Sequence, residues 1–336
     1  MDKNREADLC QNIKDAVFLK MQQQYPEGET SLVRRDVHTK AHGCVRATFE
    51  VLEGLPSELQ IGVFARPRLI NCWIRFSAGS QGINSDKKSD VHGMGIKLLG
   101  VDGAKVLEDE ANATTQDFLL ANSPTYFIAS LENYSKFAEA MQKGKLLGYF
   151  FGWNPFRWKL RELWLVFSSG RHHVTNPLSI RYWSQTPYSL GTVAVKYSAI
   201  PSMRTEEPSA DLSGKDALSD AMAKSLQTSE ICFDFAIQVQ RSPKAMPIED
   251  STKRWNEVDS PFQKVALIRI ASQDFSTPER HEFAENLSFT PWHSLVEHKP
   301  LGGINQARLA VYRAISDFRH KRNGVIRTEP TDDLNT

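Results

Sequence analysis

Cysteine is scarce in this sequence, and its four cysteines are spread along the chain at Cys10, Cys44, Cys72 and Cys232. None of them forms a CxxC pair or lies at histidine-rich spacing, so neither a disulfide framework nor a structural zinc site is expected. A chain of 336 residues with 40% hydrophobic residues can bury a substantial core without such cross-links. This cysteine usage favours a reducing, cytoplasmic compartment.

Neither sign of charge is in excess. Lys and Arg (41) nearly balance Asp and Glu (40), which gives a formal net charge of +1. Proteins that bind nucleic acid usually carry a clear basic excess, so no nucleic-acid partner is expected, and the overall charge does not indicate an anionic membrane either. Any charge that serves the function must therefore be local.

Long apolar runs are also missing. The most apolar stretch, 146–167, is interrupted by Asn154, Pro155 and several charged side chains. A membrane-spanning helix needs about 20 consecutive apolar residues, so this stretch does not qualify. The N-terminal segment MDKNREADLCQNIKDAV is charged and lacks the apolar region of a secretory signal, so export is not expected.

Alternation of apolar and polar residues predicts several strands. The clearest case has Phe233, Phe235, Ile237 and Val239 on one face. Similar short runs lie at 47–52, 73–76, 96–99, 193–200 and 265–271, and helical stretches lie at 9–24, 130–142, 155–167, 216–226 and 306–321. Strands and helices do not alternate regularly, so an α+β fold is predicted.

The chain shows no segment that resembles a flexible linker. Polar breaks at 79–89, 203–215 and 242–259 are too short and too mixed in composition for that role. We therefore predict a single domain over residues 1–327 with large loops. Residues 328–336 (TEPTDDLNT) form a polar tail that we expect to be frayed.

Near the C-terminus, the run RLAVY places Arg308 and Tyr312 four residues apart, on one face of a predicted helix. A phenol titrates at about pH 10 in water, so a phenolate at neutral pH needs a nearby cation and, better, a metal. Arginine can supply the charge because it does not lose its own proton. An arginine and a tyrosine at this spacing are more often ordinary surface neighbours.

Near the N-terminus, the run RRDVHTKAHG surrounds His38 with Arg34, Arg35 and Lys40. Neighbouring positive charge favours the neutral imidazole, which suits a proton acceptor working at about pH 7. An exposed loop histidine is the simpler interpretation of the same pattern. His42 is a second candidate of lower rank.

Two strand-like segments add polar side chains. In LLANSPTYF an apolar strand ends at Asn122, whose amide could donate a hydrogen bond into a cavity, although Asn-Ser-Pro is also a common turn. In WIRFSAGSQG, Arg75 lies between Ile74 and Phe76 on a strand that is predicted to be buried. A buried arginine needs an anionic partner, either a protein carboxylate or a bound one.

Four motifs of this sequence resemble those of the haem catalases in kind and in order: R-x-x-H at 35–38, R-F-S at 75–77, N-S-P at 122–124 and R-x-x-x-Y at 308–312. The resemblance extends to smaller relatives, the catalase-related peroxidases and the coral-type allene oxide synthases. It runs from about residue 32 to residue 323 and is weak in the middle third. It implies a catalase-like antiparallel β-barrel core with surrounding helices and long loops, and a proximal-ligand helix near the C-terminus.

The resemblance also implies the cofactor and a role for each residue. Haem b would be bound through Tyr312 as the proximal iron ligand, with Arg308 stabilising the phenolate. His38 would act as the distal acid and base, with Asn122 as its polarising partner. The remaining assignments are Ser77, which fixes the His38 tautomer, and Arg35, Arg75 and Arg319, which pair with the haem propionates.

The departures from large catalases resemble the small catalase-related branch. Residues 39–43 (TKAHG) differ from the run that follows the distal histidine in large catalases, and Arg313 stands where they usually have proline. Val37, which the resemblance places at the haem, matches true catalases, whereas allene oxide synthases have threonine there. The long N-terminal arm and C-terminal helical domain of large catalases are also missing, so we expect an open haem site and a monomer or small homo-oligomer.

The implied function is reduction of hydrogen peroxide or organic hydroperoxides through a ferryl intermediate, completed by a second peroxide or by an organic electron donor. One alternative is rearrangement of a fatty-acid hydroperoxide to an allene oxide. Val37 argues against it, because valine cannot hydrogen-bond a substrate. Another alternative is a haem-binding sensor or carrier without turnover, but storage alone requires no pair such as His38 and Asn122.

The aromatic-rich run at 149–167, YFFGWNPFRWKLRELWLVF, bears on substrate and partner. It carries Trp153, Trp158 and Trp164 beside basic side chains, a composition that suits transient contact with a membrane surface carrying lipid hydroperoxides. Packing against the domain's own core is the more common interpretation of such a run.

Overall fold

The computed structural model describes residues 2–170, 173–202 and 214–331. Its helices are α1 (Lys3–Gln24), α2 (Leu131–Gln142), α3 (Leu146–Phe150), α4 (Leu160–Ser169), α5 (Ala217–Thr228), α6 (Pro278–Asn286) and α7 (Gly303–Asn323). Its strands are β1 (Ala41–Val51), β2 (Arg68–Ala78), β3 (His92–Leu98), β4 (Gln116–Ala121), β5 (Tyr182–Trp183), β6 (Tyr188–Leu190), β7 (Val193–Pro201), β8 (Ile231–Val239) and β9 (Gln263–Ile270). The predicted α+β class is confirmed. Across these ranges, no helix has both the length and the apolar character needed to cross a bilayer.

These strands form one antiparallel sheet in the order β5-β4-β3-β2-β1-β9-β8-β7-β6. A further pairing joins β5 to β7, where Tyr182 lies opposite Ala199 and Trp183 lies opposite Ser198. This pairing closes β1–β5 and β7–β9 into a barrel, with β6 attached beside β7. Closure leaves the barrel strands without free edges. The predicted antiparallel β-barrel is confirmed.

Aromatic side chains fill the barrel, because alternate residues of each strand point inward. Phe49, Phe118 and Phe235 are at most 2% exposed, and the ring centroids of Phe49 and Phe118 both lie 5.0 Å from that of Phe235. Aromatic pairs of this kind add about 0.5–1.5 kcal/mol each beyond the burial of their area. The packed interior gives a rigid frame for side chains at the barrel end.

The strand register brings short residues together at one end of the barrel. Ser77 on β2 lies opposite Gly93 on β3, and Gly93 lies opposite Ala121 on β4. Ser77 also lies opposite Ala41 on β1, next to a bulge that contains His42. Bulges often occur beside active sites because they redirect a side chain. The segments before β1 and after β4 therefore meet at this end.

Helices α1, α2 and α7 form an apolar cluster separate from the barrel core. Its buried members are Ile13, Val17, Leu131, Ala138, Ala307 and Val311. Helix α7 ends at Asn323 and is followed by Gly324, whose φ of 67° supplies the left-handed conformation of a helix C-cap. The helix is continuous through Arg313, so the absence of proline at that position leaves its geometry regular.

The helix predicted at 155–167 is divided into two parts. Pro155–Arg157 forms one 3-10 turn, Trp158 is extended, and α4 begins only at Leu160. Most of the large apolar side chains of the run at 149–167 are exposed, although Tyr149 and Phe150 are buried. Packing of this run against the domain's own core is therefore the wrong interpretation.

Part of the predicted polar tail is anchored. Glu329 Oε2 accepts hydrogen bonds from Lys97 Nζ at 2.6 Å and from Thr115 Oγ1 at 3.2 Å. Fraying was therefore the wrong expectation at Glu329, because a fully buried lysine on β3 needs carboxylate partners. Residues 332–336 of the tail and 203–213 of the predicted polar break lie outside the described residues. The domain boundary at residue 327 stays a prediction.

Candidate functional site

His38 is held by hydrogen bonds to β2 and to Gly79, the residue that follows β2. Its backbone N donates to Gly79 O at 3.2 Å, and its carbonyl accepts from Arg75 Nη2 at 3.0 Å. Its ring Nδ1 lies 3.1 Å from Ser77 Oγ, as the predicted role of Ser77 requires. The φ of His38 is 57°, a left-handed conformation that raises the energy of a non-glycine residue by about 1–3 kcal/mol. The hydrogen bonds hold the residue in that conformation.

Strand β3 passes directly behind the His38 ring. A Cβ atom added to Gly93 would lie 2.6 Å from both Cε1 and Nδ1 of His38, and 3.1 Å from Ser77 Oγ. Real side chains do not approach so closely, so this position requires glycine. The ring is therefore confined between the β3 backbone and Ser77.

The His38 ring is neutral at pH 7. Burial lowers its pKa, and the charges of Arg75, Arg308 and His92 lower it further, to about 3. The sequence predicted a neutral ring, but from the adjacent basic residues. Burial and charges contributed by β2 and α7 are the larger causes. With Nδ1 facing Ser77, Nε2 is the nitrogen available for proton exchange.

Asn122 lies directly after β4 and is 6% exposed. Its backbone N donates to His92 O at 2.9 Å, and its side-chain Oδ1 accepts from His92 N at 2.8 Å. These two bonds orient the amide and leave Nδ2 as its free donor, since no acceptor for Nδ2 is found within the described ranges. An oriented neutral donor is the arrangement that the sequence predicted for Asn122.

Arg308 and Tyr312 face each other on α7, as predicted. Arg308 Nη2 donates to Tyr312 Oη at 3.3 Å, and Nη1 donates to Thr186 Oγ1 at 3.2 Å and to Asn305 Oδ1 at 3.1 Å. In the part of the chain that the structure describes, no carboxylate forms an ion pair with Arg308. Burial opposes the Arg308 charge, but Tyr312 and Tyr188 raise its pKa above the ordinary range. Arg308 therefore directs its charge to Tyr312 Oη without a competing carboxylate in the described ranges.

Residues from both ends of the chain converge here. The charge of Arg308 is one of the causes that lower the pKa of His38, although the two residues are 270 positions apart (308 − 38). Burial raises the pKa of Tyr126, four residues after Asn122, and the charges of Arg308 and Tyr312 also act on it. The segments of R-x-x-H and R-x-x-x-Y and the residues that follow N-S-P therefore lie within electrostatic range of one another, and R-F-S contacts His38 through Ser77.

Space beside Tyr312 is limited. A cavity of about 20 Å³ lies against Tyr312, Leu309, Phe289 and Ser316. A porphyrin is much larger, so this cavity alone cannot hold haem. The proximal role of Tyr312 and the distal role of His38 stay predictions.

Arg35, Arg75 and Arg319 form the second part of the site, together with Glu285 on α6. Arg35 Nη1 donates to Glu285 Oε1 at 3.1 Å, and Arg319 Nη1 lies 3.7 Å from the same oxygen. Arg35 and Arg319 also both donate to the carbonyl of Leu287. The buried Arg75 Nε has no hydrogen-bond acceptor within the described ranges.

This cluster has more positive than negative charge. Burial lowers the pKa of Arg75 and of Arg319 to about 9, and the neighbouring Arg35 contributes to both shifts, whereas Glu285 opposes them. Glu285 is the one carboxylate that pairs with Arg35 and Arg319 in the described ranges, and it also lies 3.7 Å from Arg34 Nη1. An anionic ligand would therefore relieve the repulsion among the guanidinium groups. Two carboxylates on one ligand, as in the propionates of haem, suit this donor set and the free Arg75 Nε.

Two further predicted residues have different environments. Val37, assigned to the haem surface, is 44% exposed and therefore available for contact with a ligand. His42, the lower-ranked candidate, is fully buried in the β1 bulge, with Nε2 3.3 Å from His92 Nδ1. The structure therefore gives His42 a buried partner in His92.

Sequence reasoning missed four residues of this site: Gly93, Thr186, Glu285 and Asn305. The spacing of Asn305 and Arg308 on one helix was the only local signal. Gly93, Thr186 and Glu285 reach the site through strand register and helix docking, which no adjacent motif indicates.

No protein-family model matches the sequence, and no curated protein sequence is similar to it. Solved structures give the similarity. A fungal catalase aligns with a TM-score of 0.65 and 15% identity, catalase A from Saccharomyces cerevisiae with 0.67 and 16%, and a bacterial catalase with 0.59 and 16%. These alignments cover 91%, 91% and 90% of this chain, respectively.

The chain spans 64%, 68% and 60% of the lengths of these three catalases. At such low identity the similarity shows the fold, and the predicted catalase fold is confirmed. Assignment to the small catalase-related branch stays a prediction.

Proposed function

We propose that this protein is a haem-dependent enzyme that decomposes hydroperoxides. The observation that carries the proposal is the convergence of the two chain ends. Burial, then the charges of Arg75 and Arg308, lower the pKa of His38, and Arg308 Nη2 donates to Tyr312 Oη at 3.3 Å. A neutral base, an oriented amide at Asn122 and a charge-stabilised phenol suit peroxide chemistry. The similarity of the fold to catalases supports the same conclusion.

Haem b is the cofactor that the donor set fits. Tyr312 would bind the iron as a phenolate, because Arg308 donates to its oxygen and has no carboxylate partner among the described residues. Arg35, Arg75 and Arg319 would bind the propionates. When bound, the haem would supply the redox-active iron at which the peroxide O–O bond breaks.

His38 moves the proton in this proposal. Its neutral Nε2 accepts the proton of the peroxide and returns it to the departing oxygen, which leaves as water or as an alcohol. Ser77, 3.1 Å from Nδ1, keeps the ring oriented during both transfers. Asn122 Nδ2 donates a hydrogen bond to the peroxide, and it does so independently of pH because the amide does not titrate.

We further propose hydrogen peroxide and organic hydroperoxides as substrates, with a second peroxide or an organic donor returning the enzyme to its resting state. Val37 supports reduction over rearrangement to an allene oxide, because its exposed side chain offers no hydrogen bond to a fatty-acid hydroperoxide. Product analysis with a polyunsaturated fatty-acid hydroperoxide distinguishes the two. An alcohol is expected, and an allene oxide would contradict the proposal.

The test compares Tyr312→Phe and His38→Ala with the parent protein after addition of haem. The absorption spectrum of tyrosinate-ligated ferric haem is expected in the parent and in His38→Ala but not in Tyr312→Phe. Steady-state peroxide consumption by His38→Ala should fall by about 100-fold or more, since general acid–base catalysis contributes that much. His281→Ala, which changes an exposed histidine on α6, is the control.

Two results would contradict the proposal. The spectrum of Tyr312→Phe could match that of the parent, in which case Tyr312 is not the iron ligand. Alternatively, the parent could bind haem but consume peroxide no faster than His38→Ala, which would indicate a haem carrier.

A further inference from the structure

Most large apolar side chains of the segment 143–170 are exposed, although Tyr149 and Phe150 are buried. We define the apolar platform as Leu147, Trp153, Phe156, Leu160, Trp164 and Phe167, which are 74%, 101%, 99%, 56%, 65% and 58% exposed, respectively. Single exposed apolar residues are ordinary, but large apolar patches on a protein surface usually mark a binding face.

Helix α4 is amphipathic with its apolar face outward. Leu160, Trp164 and Phe167 lie at positions i, i+4 and i+7, which share one helical face, and Glu162 lies on the opposite face. Glu162 is only 5% exposed, and its carboxylate accepts from Asn133 Nδ2 at 2.8 Å and from Tyr149 Oη. The single acidic residue of the helix therefore anchors it, and the apolar face remains exposed. A surface helix of a globular protein normally has the opposite orientation.

The two most exposed aromatic side chains belong to an ordered turn. Asn154 Oδ1 accepts from Phe156 N at 3.0 Å, and Trp158 Nε1 donates to Gly152 O at 2.9 Å. Proline at position 155 restricts the same turn. Trp153 and Phe156 therefore project from a defined backbone.

The charges around the platform are cationic. Between residues 143 and 170 the chain carries Lys143, Lys145, Arg157, Lys159 and Arg161 and one acid, the buried Glu162. Lys143 pairs with Glu139 of α2, so the other basic residues supply the positive excess. Lys136 on α2 is also exposed, and its positive charge adds to the effect of burial in lowering the pKa of Lys159. Exposed apolar tips next to basic side chains are the composition of interfacial segments that bind anionic lipid.

We propose that the apolar platform docks this protein on the surface of an anionic phospholipid membrane. A second copy of the chain is a poorer occupant, because a symmetric contact through this face would place its cations against the same cations. Docking does not depend on haem. If the proposed function also holds, hydroperoxides of membrane lipids become the organic substrates, a consequence that rests on that function.

Co-sedimentation of the full-length protein with vesicles tests this proposal. Vesicles of phosphatidylcholine with phosphatidylglycerol are compared with vesicles of phosphatidylcholine alone. We expect binding mainly to the anionic vesicles, weaker binding at high salt, and a blue shift of tryptophan fluorescence. The double variant Trp153→Ala/Phe156→Ala should partition at least about tenfold less, because two aromatic side chains can no longer leave water.

The matched control is Leu69→Ala/Ile326→Ala, which removes two apolar side chains that are 65% and 83% exposed outside the platform. It should bind like the parent. Parent protein that stays in the supernatant with both vesicle types would overturn the proposal, as would a double variant that binds like the parent or equal binding to neutral vesicles. A parent dimer that becomes monomeric in the double variant, without vesicle binding, would assign the face to a second copy instead.

The docking and the proposed function can fail separately. The double variant leaves His38 and Tyr312 intact, so its consumption of dissolved hydrogen peroxide should equal that of the parent. If the double variant loses vesicle binding but keeps its peroxide turnover, the result supports the docking proposal and does not test the enzyme proposal. Vesicle binding by a protein that never consumes peroxide would leave docking standing and overturn the enzyme proposal.

Discussion

The absence of a side chain at Gly93 on β3 leaves room for the His38 ring. In Gly93→Ala the new Cβ would lie 2.6 Å from His38 Nδ1 and 3.1 Å from Ser77 Oγ, so either the ring or the strand must move. We expect steady-state peroxide turnover to fall by about tenfold or more with little change in haem absorption, because the proton acceptor is displaced. The free energy of unfolding should fall by about 1–3 kcal/mol, as in other overpacked sites.

Gly95→Ala is the control for this change. It lies two residues along the same strand, on the same face, and its Cβ would meet Phe289 Cδ1 at 3.2 Å, a contact that a small ring shift relieves. Turnover should remain near that of the parent. Equal turnover in Gly93→Ala and Gly95→Ala would show that the position of His38 does not limit catalysis.

Single residues were predictable where a local motif identifies them. His38, Asn122, Arg308 and Tyr312 each occur in a short motif, and the structure brings their segments together. Glu285 has no such motif, since it sits in the ordinary helix sequence PERHEFAEN. Its importance comes from Arg35 and Arg319, which are distant in sequence and approach only when α6 and α7 dock.

Helix α6 supplies the carboxylate of the arginine cluster, Glu285. Glu285 is the cluster's only carboxylate within the described ranges, so Glu285→Gln should leave the buried guanidinium groups of Arg35, Arg75 and Arg319 without counter-charge. We expect the haem-free protein to lose about 3 kcal/mol of unfolding free energy, as when one partner of a buried ion pair is removed. Haem should then raise the melting temperature more in this variant than in the parent, because the propionates replace the lost charge. Thermal unfolding with and without haem measures both effects.

Glu282→Gln changes an exposed glutamate on the same helix and should alter neither melting temperature. If Glu285→Gln without haem were as stable as Glu282→Gln, the cluster would not need its carboxylate. If haem stabilised both variants equally, the arginines would not bind its propionates.

Elements were predicted less completely than residues, because strand length depends on partners. The sequence predicted a strand at 47–52, where alternation is clear, but β1 starts at Ala41. Its first half is held by the ladder to β2, where Cys44 lies opposite Arg75. Alternation fails there because of the bulge at His42, and the same bulge shapes the barrel end beside the site.

At the scale of the whole molecule, barrel closure could not be predicted from composition or periodicity. It depends on β5, a strand of only two residues, pairing with β7. Such short strands give no periodic signal, so the barrel was predicted only through the family resemblance. The closed barrel then brings the segment before β1 near α7, which unites residues from the two chain ends.

The chain end beyond α7 is tied to the barrel through an ion pair. Lys97 on β3 is fully buried and binds Asp117 at 2.7 Å and Glu329 at 2.6 Å. Burial raises the pKa of Glu329, but Lys97 and His293 outweigh it and lower the value to about 2. Glu329→Gln should therefore lower the free energy of unfolding by about 1–3 kcal/mol at pH 7, less than a full unpairing because Asp117 remains.

The stabilisation that Glu329 provides should depend on pH in one direction. A carboxylate whose pKa is lower in the folded protein stabilises it above the unfolded pKa of about 4.3, and the effect disappears as the pH falls through the folded value. The difference in unfolding free energy between the parent and Glu329→Gln should thus be full above about pH 5 and vanish near the folded pKa of about 2. Denaturant unfolding across this pH range measures it, with Glu53→Gln in an exposed turn as the control. A difference that persisted unchanged at low pH would mean that the Glu329 charge does not anchor the tail to Lys97.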